Sequence, residues 1–317
     1  MEFWNVVTSI IPSAIAYTVP ILMGALGGLY SERSGVTNLC IEGLMLFGVF
    51  SAAATIVKLQ AIPGFSFTLA IVIGIAVAMV ASMLLSLLHA FAAINLKANQ
   101  VISGTAINML STAVSLFLAQ TITGSGNITI VRAIVRQNVP VLSRIPVIGT
   151  LFFSSTYWTT WICLLLWALS WFLLYKTSFG LRLRACGEHP SAVASAGVNV
   201  HKMRYIGVMA SGLLSGLGGA CILVTYAGEY NAGSGINGLG FLAIAALIFG
   251  QWKPLGILGS TFFFGLCMTI ANMGKVFPIF QSIPTGYLGM FPYVATLIAL
   301  IFSSRRSSAP LATGEPF

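Results

Sequence analysis

Ionisable and hydrogen-bonding side chains are scarce in this chain, so the few that fall inside apolar stretches need a chemical explanation. In SERSGVTNLCIEGLMLFG, residues 31–48, Asn38 and Glu42 stand four apart and share one face of any helix that holds both. A carboxyl group within an apolar span is costly and is expected to face a cavity or a partner. Glu42 is therefore the first candidate for a translocation-pathway residue. The competing expectation is a structural carboxyl, hydrogen-bonded to Asn38 or to a loop amide near Gly35 and Gly43, because buried polar groups are commonly satisfied within the protein. Those glycines also allow a broken or sharply turned backbone, which membranes tolerate only beside protein or water. A second polar strip, NLKANQVISGTAINML at residues 95–110, holds Asn95, Asn99, Gln100, Ser103 and Asn108. Amides and hydroxyls without charge suit a neutral, hydroxyl-rich solute better than an ion. Asn99, Ser103 and Asn108 thus join Asn38 and Glu42 as pathway candidates. For Asn99 itself the favoured account is a helix N-cap with Lys97 snorkelling beside it. His89 reads as packed, and Glu229 and Asn231 as residues at an outer helix end.

Much other chemistry is excluded. Cys40, Cys163, Cys186, Cys221 and Cys267 are far apart, with no C-x-x-C spacing, and read as small apolar residues rather than a metal site or disulfide framework. No Ser–His pair, paired acids or metal-ligand spacing stands out, so neither an enzyme nor a cofactor is expected. A nucleotide site would need G-x-x-x-x-G-K-[ST], and the one Gly-Lys pair, Gly274-Lys275, is followed by Val276. Any ATP must bind elsewhere.

The elements that position these residues follow from composition. The 317 residues are 57% hydrophobic and 7% charged, with a mean hydropathy of +0.96, far from the quarter or so of charged residues in soluble domains. This is a polytopic membrane protein, an all-α bundle of one domain. Its surplus base, fifteen Lys and Arg against six Glu, reads as membrane topology rather than a nucleic-acid surface. Apolar runs near 8–29, 39–57, 66–94, 101–121, 157–175, 204–226, 237–250, 254–272 and 287–302 are each candidates to cross a core about 30 Å thick. The joints at Tyr30 to Asn38 and at GQWKPLG, 250–256, are either tight turns or interruptions within the membrane, so eight to ten helices are expected. Lys176, Arg182, Arg184, Lys202 and Arg204, with Arg305 and Arg306, mark segments 176–203 and 303–317 as cytoplasmic. Threading from there places Arg33, Lys97 and Lys253 inside, and Lys58, Arg132, Arg136, Arg144 and Lys275 outside. The Gly- and Pro-containing segment 123–156 becomes an external loop. An odd number of spans puts the N-terminus outside; an extra crossing near 30–42 would reverse it.

Two stretches organise the bundle. In MASGLLSGLGGA, residues 209–220, Gly212 and Gly216, and Ser215 and Gly219, form adjacent small-residue ridges that let helices approach closely. In RACGEHPSAVASAGVNVHKMRY, residues 184–205, Pro190 stands where a helix begins and Gly197 just past its end, marking about two turns. Its Ala, Ser and Val side chains are too short to anchor in lipid and suit insertion into a groove of another protein.

The run GEHPSAVASAGVNVHKMRYIGVMASGLLSGLGGA resembles the coupling loop and following span of bacterial permease subunits of ATP-binding-cassette importers for simple sugars and nucleosides, relatives of ribose and branched-chain amino-acid permeases. LGGLYSERSGVTNLCIEGLMLFG, FLAIAALIFGQWKPLGILGSTFFFG and the tail SRRSSAPLATGEPF agree with it. The resemblance implies a subunit of the bacterial inner membrane that forms half a pathway for a nucleoside or simple sugar, with a second permease as its partner. Its coupling helix would run from Gly187 to Gly197, with Glu188, Pro190, Ala192 and Ala194 docking in a cytoplasmic ATPase, and an extracytoplasmic binding protein or lipoprotein would deliver the solute. The rival class is a secondary transporter of a small neutral solute, against which stand the lack of an internal repeat and of proton-linked groups beyond Glu42.

Overall fold

The computed structural model describes residues 2–140, 142–273, 283, 285–303 and 309–317. Gly274, Lys275, Val276, Arg305 and Arg306 lie outside them. Each apolar run becomes a helix: α1 (Glu2–Arg33), α2 (Ile41–Gln60), α3 (Phe67–Ala90), α4 (Gln100–Thr123), α5 (Trp158–Lys176), α8 (Val200–Ile222), α9 (Leu239–Phe249), α10 (Pro254–Met273) and α11 (Thr285–Ser303). Two shorter helices, α6 (Ser178–Glu188) and α7 (Pro190–Ser195), join α5 to α8. Among the described residues seven helices, α1 to α5, α8 and α10, are long and apolar enough to cross a membrane, and α9 and α11 add shorter apolar segments. The chain is a polytopic helical bundle.

The ends of the bundle are tied by specific bonds. At one end Arg136 Nη1 donates to Ser13, in the N-terminal half of α1, at 3.4 Å. There, too, the Gln60 side chain that ends α2 clasps the backbone of Val131 and Arg132. The segment 123–156 carries β1 (Asn127–Thr129), which pairs antiparallel with β2 (Glu229–Asn231) beyond α8, so Glu229 and Asn231 are strand residues rather than plain loop. At the other end Arg33 meets Glu188 of α6, and Ala312 of the tail donates to the Gly187 carbonyl at 2.8 Å. Residues 34–40 turn back into the bundle, adding no crossing, so the start of α1 lies at the same end as the 123–156 segment.

Helices α1 and α8 are buried over most of their length, whereas α3, α4 and α5 present large apolar side chains outward. Small residues on α8 explain its central place. A Cβ on Gly212 or Gly216 would strike α3 at Ser82 and Ser86 or at Ala78, and one on Gly219 would strike the Met45 carbonyl of α2. Ser215 instead faces Gly27 of α1. One helix thereby seats three neighbours at backbone contact, the packing that works where lipid supplies no hydrophobic drive.

Gly219→Val should lower the unfolding temperature of the detergent-purified permease, since overpacking costs about 1–3 kcal/mol. Gly259→Ala in α10, where an added Cβ meets nothing within 4 Å, should leave that temperature unchanged or slightly raised in the same melt.

Candidate functional site at the broken helix

Between α1 and α2 the chain abandons helical geometry while still inside the bundle. Gly35 begins the break at φ +93°, and Ser34, Gly35, Val36, Asn38 and Cys40 are buried. Backbone groups placed there need partners, because neither lipid nor bulk water can supply them. Side chains from three helices provide these. Gln100 Oε1 accepts from the Thr37 amide at 2.7 Å, and His89 Nε2 lies 2.9 Å from the Thr37 carbonyl. A carbonyl only accepts, so His89 carries its proton on Nε2, and Nδ1 accepts from Ser103 Oγ at 3.0 Å. Asn38 Oδ1 accepts from the Cys40 amide at 3.0 Å, and its Nδ2 donates to Ser211 Oγ at 2.8 Å. Asn108 bridges the start of α2, donating to the Leu39 carbonyl at 2.8 Å and accepting from the Gly43 amide at 2.7 Å. Ser111 Oγ donates to the Gly43 carbonyl at 2.5 Å. Asn108 stands about 12 Å along α4 from its first residue, so these bonds lie deep within the bundle.

The pathway candidates thus separate by position. Asn38, Ser103 and Asn108 spend their bonds on the break, together with Gln100 and the fully buried His89. Asn99 caps α4, accepting from the amides of Val101 at 3.0 Å and Ile102 at 3.1 Å. Glu42 bonds neither Asn38 nor an amide near Gly35 or Gly43. Its Oε2 accepts from the Gly240 amide at 2.6 Å and its Oε1 from the Gly238 amide at 3.1 Å. The carboxylate sits in the first turn of α2 and at the start of α9, where two helix N-termini favour negative charge. Glycine is required on the far side: Gly238 has φ +74°, and a Cβ on Gly240 would overlap the Glu42 backbone.

The opposite end of α9 is held by the other flank of the break. Arg33 donates to the Trp252 carbonyl through Nη2 at 2.9 Å and Nε at 3.3 Å, just past the end of α9, and Trp252 Nε1 donates to Glu32. The 250–253 joint is a tight turn, with Gln251 and Trp252 at positive φ. At 11 residues, α9 is about 16 Å long, and the seven residues from 34 to 40 can reach at most about 25 Å. Break and short helix therefore run side by side over part of the bundle's depth, carboxylate at one end and guanidinium at the other.

Exposed side chains flank the start of α2 on its α4 side and on its α9 side, and together make up one face. Glu42 and Leu39 are half-buried; Thr105, Met109 and Thr112 on α4 are exposed, as are Asn237 and Phe241 at the entrance to α9. Tyr293 of α11 is also exposed and donates to the Asn237 carbonyl at 2.6 Å. Hydroxyls, one amide, two aromatic rings and a single carboxylate form the chemistry of this face. Sequence reasoning missed its α9 side, although the glycines at 238 and 240 were a visible signal.

At the Arg33 end, α7 begins at Pro190 and ends shortly before Gly197, whereas Gly187 and Glu188, which the resemblance puts in the coupling helix, belong to the end of α6. Gly187 packs against the Arg33 carbonyl, and Glu188 Oε1 pairs with Arg33 Nη1 at 3.3 Å. Val193 is buried and anchors α7, while Ala192, Ala194 and Gly197 (φ +79°) are exposed. The tail 309–317 lies over this junction. Thr313 Oγ1 donates to the Glu32 carbonyl at 3.2 Å. Arg204 Nη1 donates to the Glu315 carbonyl at 2.9 Å, and His201 and Phe317 rings sit 5.8 Å apart.

Comparison with known proteins agrees with this architecture. Residues 10–300 match the family described as branched-chain amino acid transport system / permease component. Guanosine ABC transporter permease protein NupQ of Bacillus subtilis (strain 168) is 43% identical over 318 residues, covering 100% of this chain and 98% of that protein. Nucleoside ABC transporter permease protein NupC of Lactococcus lactis subsp. cremoris (strain MG1363) is 38% identical over 316 residues, 99% of this chain and 98% of that one. Guanosine ABC transporter permease protein NupP of the same Bacillus strain is 32% identical over 146 residues, 45% of this chain and 40% of that one. No solved structure matches significantly. The chain belongs to this family of transport-system permease components and is a multi-pass protein of the cytoplasmic membrane.

Asn108→Leu should strand the Leu39 carbonyl and the Gly43 amide, at about 1–3 kcal/mol for each buried unsatisfied group. Asn99→Ala, which loses only an exposed cap, should cost about 1 kcal/mol. Thermal unfolding of the purified variants should rank them in that order.

Proposed function

We propose that this chain forms half of the transmembrane pathway of an ATP-driven nucleoside importer. The observation that carries the reading is the full-length similarity to two permeases named for guanosine and nucleoside transport. The face beside Glu42 agrees with it. A nucleoside offers ribose hydroxyls and an uncharged base edge for Thr105, Thr112, Asn237 and Tyr293, and a flat ring for Phe241 and Tyr293 to stack on. Glu42 either meets the solute from this face or shapes it by holding the start of α9, with Asn38, Ser103 and Asn108 supporting the turn behind it and Asn99 the start of α4.

A second permease closes the face into a channel. Its identity as a paralogue rather than a second copy is favoured by the two unlike permeases of one Bacillus strain that carry the guanosine name, one matching this chain end to end and one over less than half. The Arg33 end is cytoplasmic and the 123–156 end external, where a solute-binding protein or lipoprotein docks. ATP is bound by separate cytoplasmic subunits that seat α7 in a cleft, Ala192 and Ala194 against the cleft wall, Pro190 and Gly197 bounding the helix. Force applied to α7 passes through α6, whose Gly187 and Glu188 are fastened to Arg33. Arg33 in turn holds the far end of α9, so pulling on α7 is felt at Glu42.

Ala194→Trp and Gly197→Val should lower nucleoside uptake at least roughly tenfold, about 1.4 kcal/mol of lost coupling, while membrane abundance of the permease is unchanged. Normal uptake by both variants would remove α7 from the coupling role. Competition of labelled guanosine uptake by other nucleosides, and its indifference to ribose, tests the cargo class.

A further inference from the structure

Two cavities away from the broken helix meet between the start of α3 and the start of α5. One, of about 730 Å³, is lined by Ser66, Phe67, Arg132, Gln137, Val72 and Trp158, among others. The second, of about 420 Å³, is an apolar slot between Ile75 and Met79 of α3 and Ile162 and Leu166 of α5, floored by Leu217 of α8. Val72 and Trp158 line both, so a mixed compartment that holds Arg132 and Gln137 adjoins an apolar slot. The slot follows α3 from Val72 to Met79, about 11 Å of helix. Its rim residues Val72 and Ile162 are exposed on the outer face of the bundle, where lipid lies.

Two polar groups here make no hydrogen bond or ion pair among the described residues, the exposed Arg132 guanidinium and the buried Thr159 hydroxyl. The Arg132 guanidinium has no carboxylate within ion-pair distance among the described residues; it lies 5.6 Å from the centre of the Phe67 ring. Thr159, one residue past Trp158, lines the slot, is 3% exposed, and its hydroxyl makes no hydrogen bond within the protein. A buried hydroxyl without a partner is costly. A cation in one compartment, and an unpaired donor within the adjoining apolar slot, match the phosphate, ester carbonyl and acyl chain of a lipid. A free anion would use the compartment and leave the slot empty; a zwitterionic phospholipid would bring its own ammonium beside its phosphate and leave the charge of Arg132 uncompensated overall.

We propose that this composite cavity is a binding site for an anionic phospholipid, with its phosphate at Arg132, an ester carbonyl accepting from Thr159 and one acyl chain between α3 and α5 over Leu217. A guanidinium pairs with a phosphate through charge-assisted, often bidentate hydrogen bonds, which is what Arg132 would supply to the headgroup.

Native mass spectrometry of the delipidated transporter assembly tests this, with phosphatidylglycerol, phosphatidylethanolamine of the same acyl chains, or glycerol phosphate added back. Wild type should retain phosphatidylglycerol roughly fivefold over phosphatidylethanolamine, equivalent to about 1 kcal/mol, and should retain no glycerol phosphate. Arg132→Gln should abolish the preference and Arg132→Lys should keep it. Ala76→Trp, which fills the slot from α3, should reduce retention of both lipids. Equal retention of the two lipids by wild type, an unchanged preference in Arg132→Gln, a lost preference in Arg132→Lys, or unchanged retention in Ala76→Trp would each overturn the proposal. Retained glycerol phosphate would overturn it in favour of a free-anion site.

Discussion

A helix of 11 residues cannot cross a membrane, and its backbone ends must be satisfied where it stops. The architecture around α9 follows from that constraint. Glu42 takes the amides at its start and Arg33 reaches the carbonyl just beyond its end. The two charged residues flank one interruption of the chain, and their signs match the helix dipole they cap. The interruption itself creates a second debt of unpaired backbone groups, which Gln100, His89, Asn38, Asn108 and Ser111 discharge. Several of the buried polar residues of this apolar protein therefore gather at the break. Remove the break, and Glu42 and Arg33 would no longer fall at opposite ends of α9.

This arrangement gives the bundle a connected route between its Arg33 end and its interior. Gly187 and Glu188 bind α6 to the end of α1, the tail is laid across the same junction, and Arg33 belongs to both this junction and the clamp on α9. An element with a discrete charged contact at each end is suited to shift as a unit rather than bend, because packed helices exchange arrangements more readily than they deform. In the proposed importer, α9 is the moving part nearest the solute, and the small-residue core of α8 is the fixed part. Ridges of Gly and Ser leave α8 no room to move against α3 or α2.

The order and positions of the helices were legible in the apolar runs, since seven of them met one physical requirement, the thickness of the membrane, and the shorter run at 237–250 was legible from its apolarity alone. Asn99 as a cap was legible too, because its partners are two and three residues away. The polar bonds that define the site were not, for a plain reason. Glu42 and its amide donors are about two hundred residues apart, and no local pattern announces such a pairing. The same distance hid the partnership of Arg33 with Trp252 and Glu188. Sequence spacing suggested that Asn38 and Glu42 share a helix face, but Gly35 and the non-helical residues after it place Asn38 outside α2 altogether. The short helix after Pro190 was signalled by its Pro and Gly. Nothing in SFGLRLRACGE marked Gly187 and Glu188 as the end of a separate helix whose work is to hold α1.

The central claim is that the face beside Glu42 is a water-filled pathway that the ATPase opens and closes. Thiol labelling tests it directly, because all five native cysteines are buried and a maleimide reacts with a thiolate, which forms in water and not in lipid. Thr105→Cys places a probe on the face beside Glu42, and Leu165→Cys places one on an exposed position of α5. In the assembled transporter, a membrane-impermeant maleimide should modify the Thr105→Cys protein at a rate that changes when ATP is supplied, and should leave the Leu165→Cys protein unmodified. Labelling of Thr105→Cys no faster than that of Leu165→Cys, with and without ATP, would contradict the account.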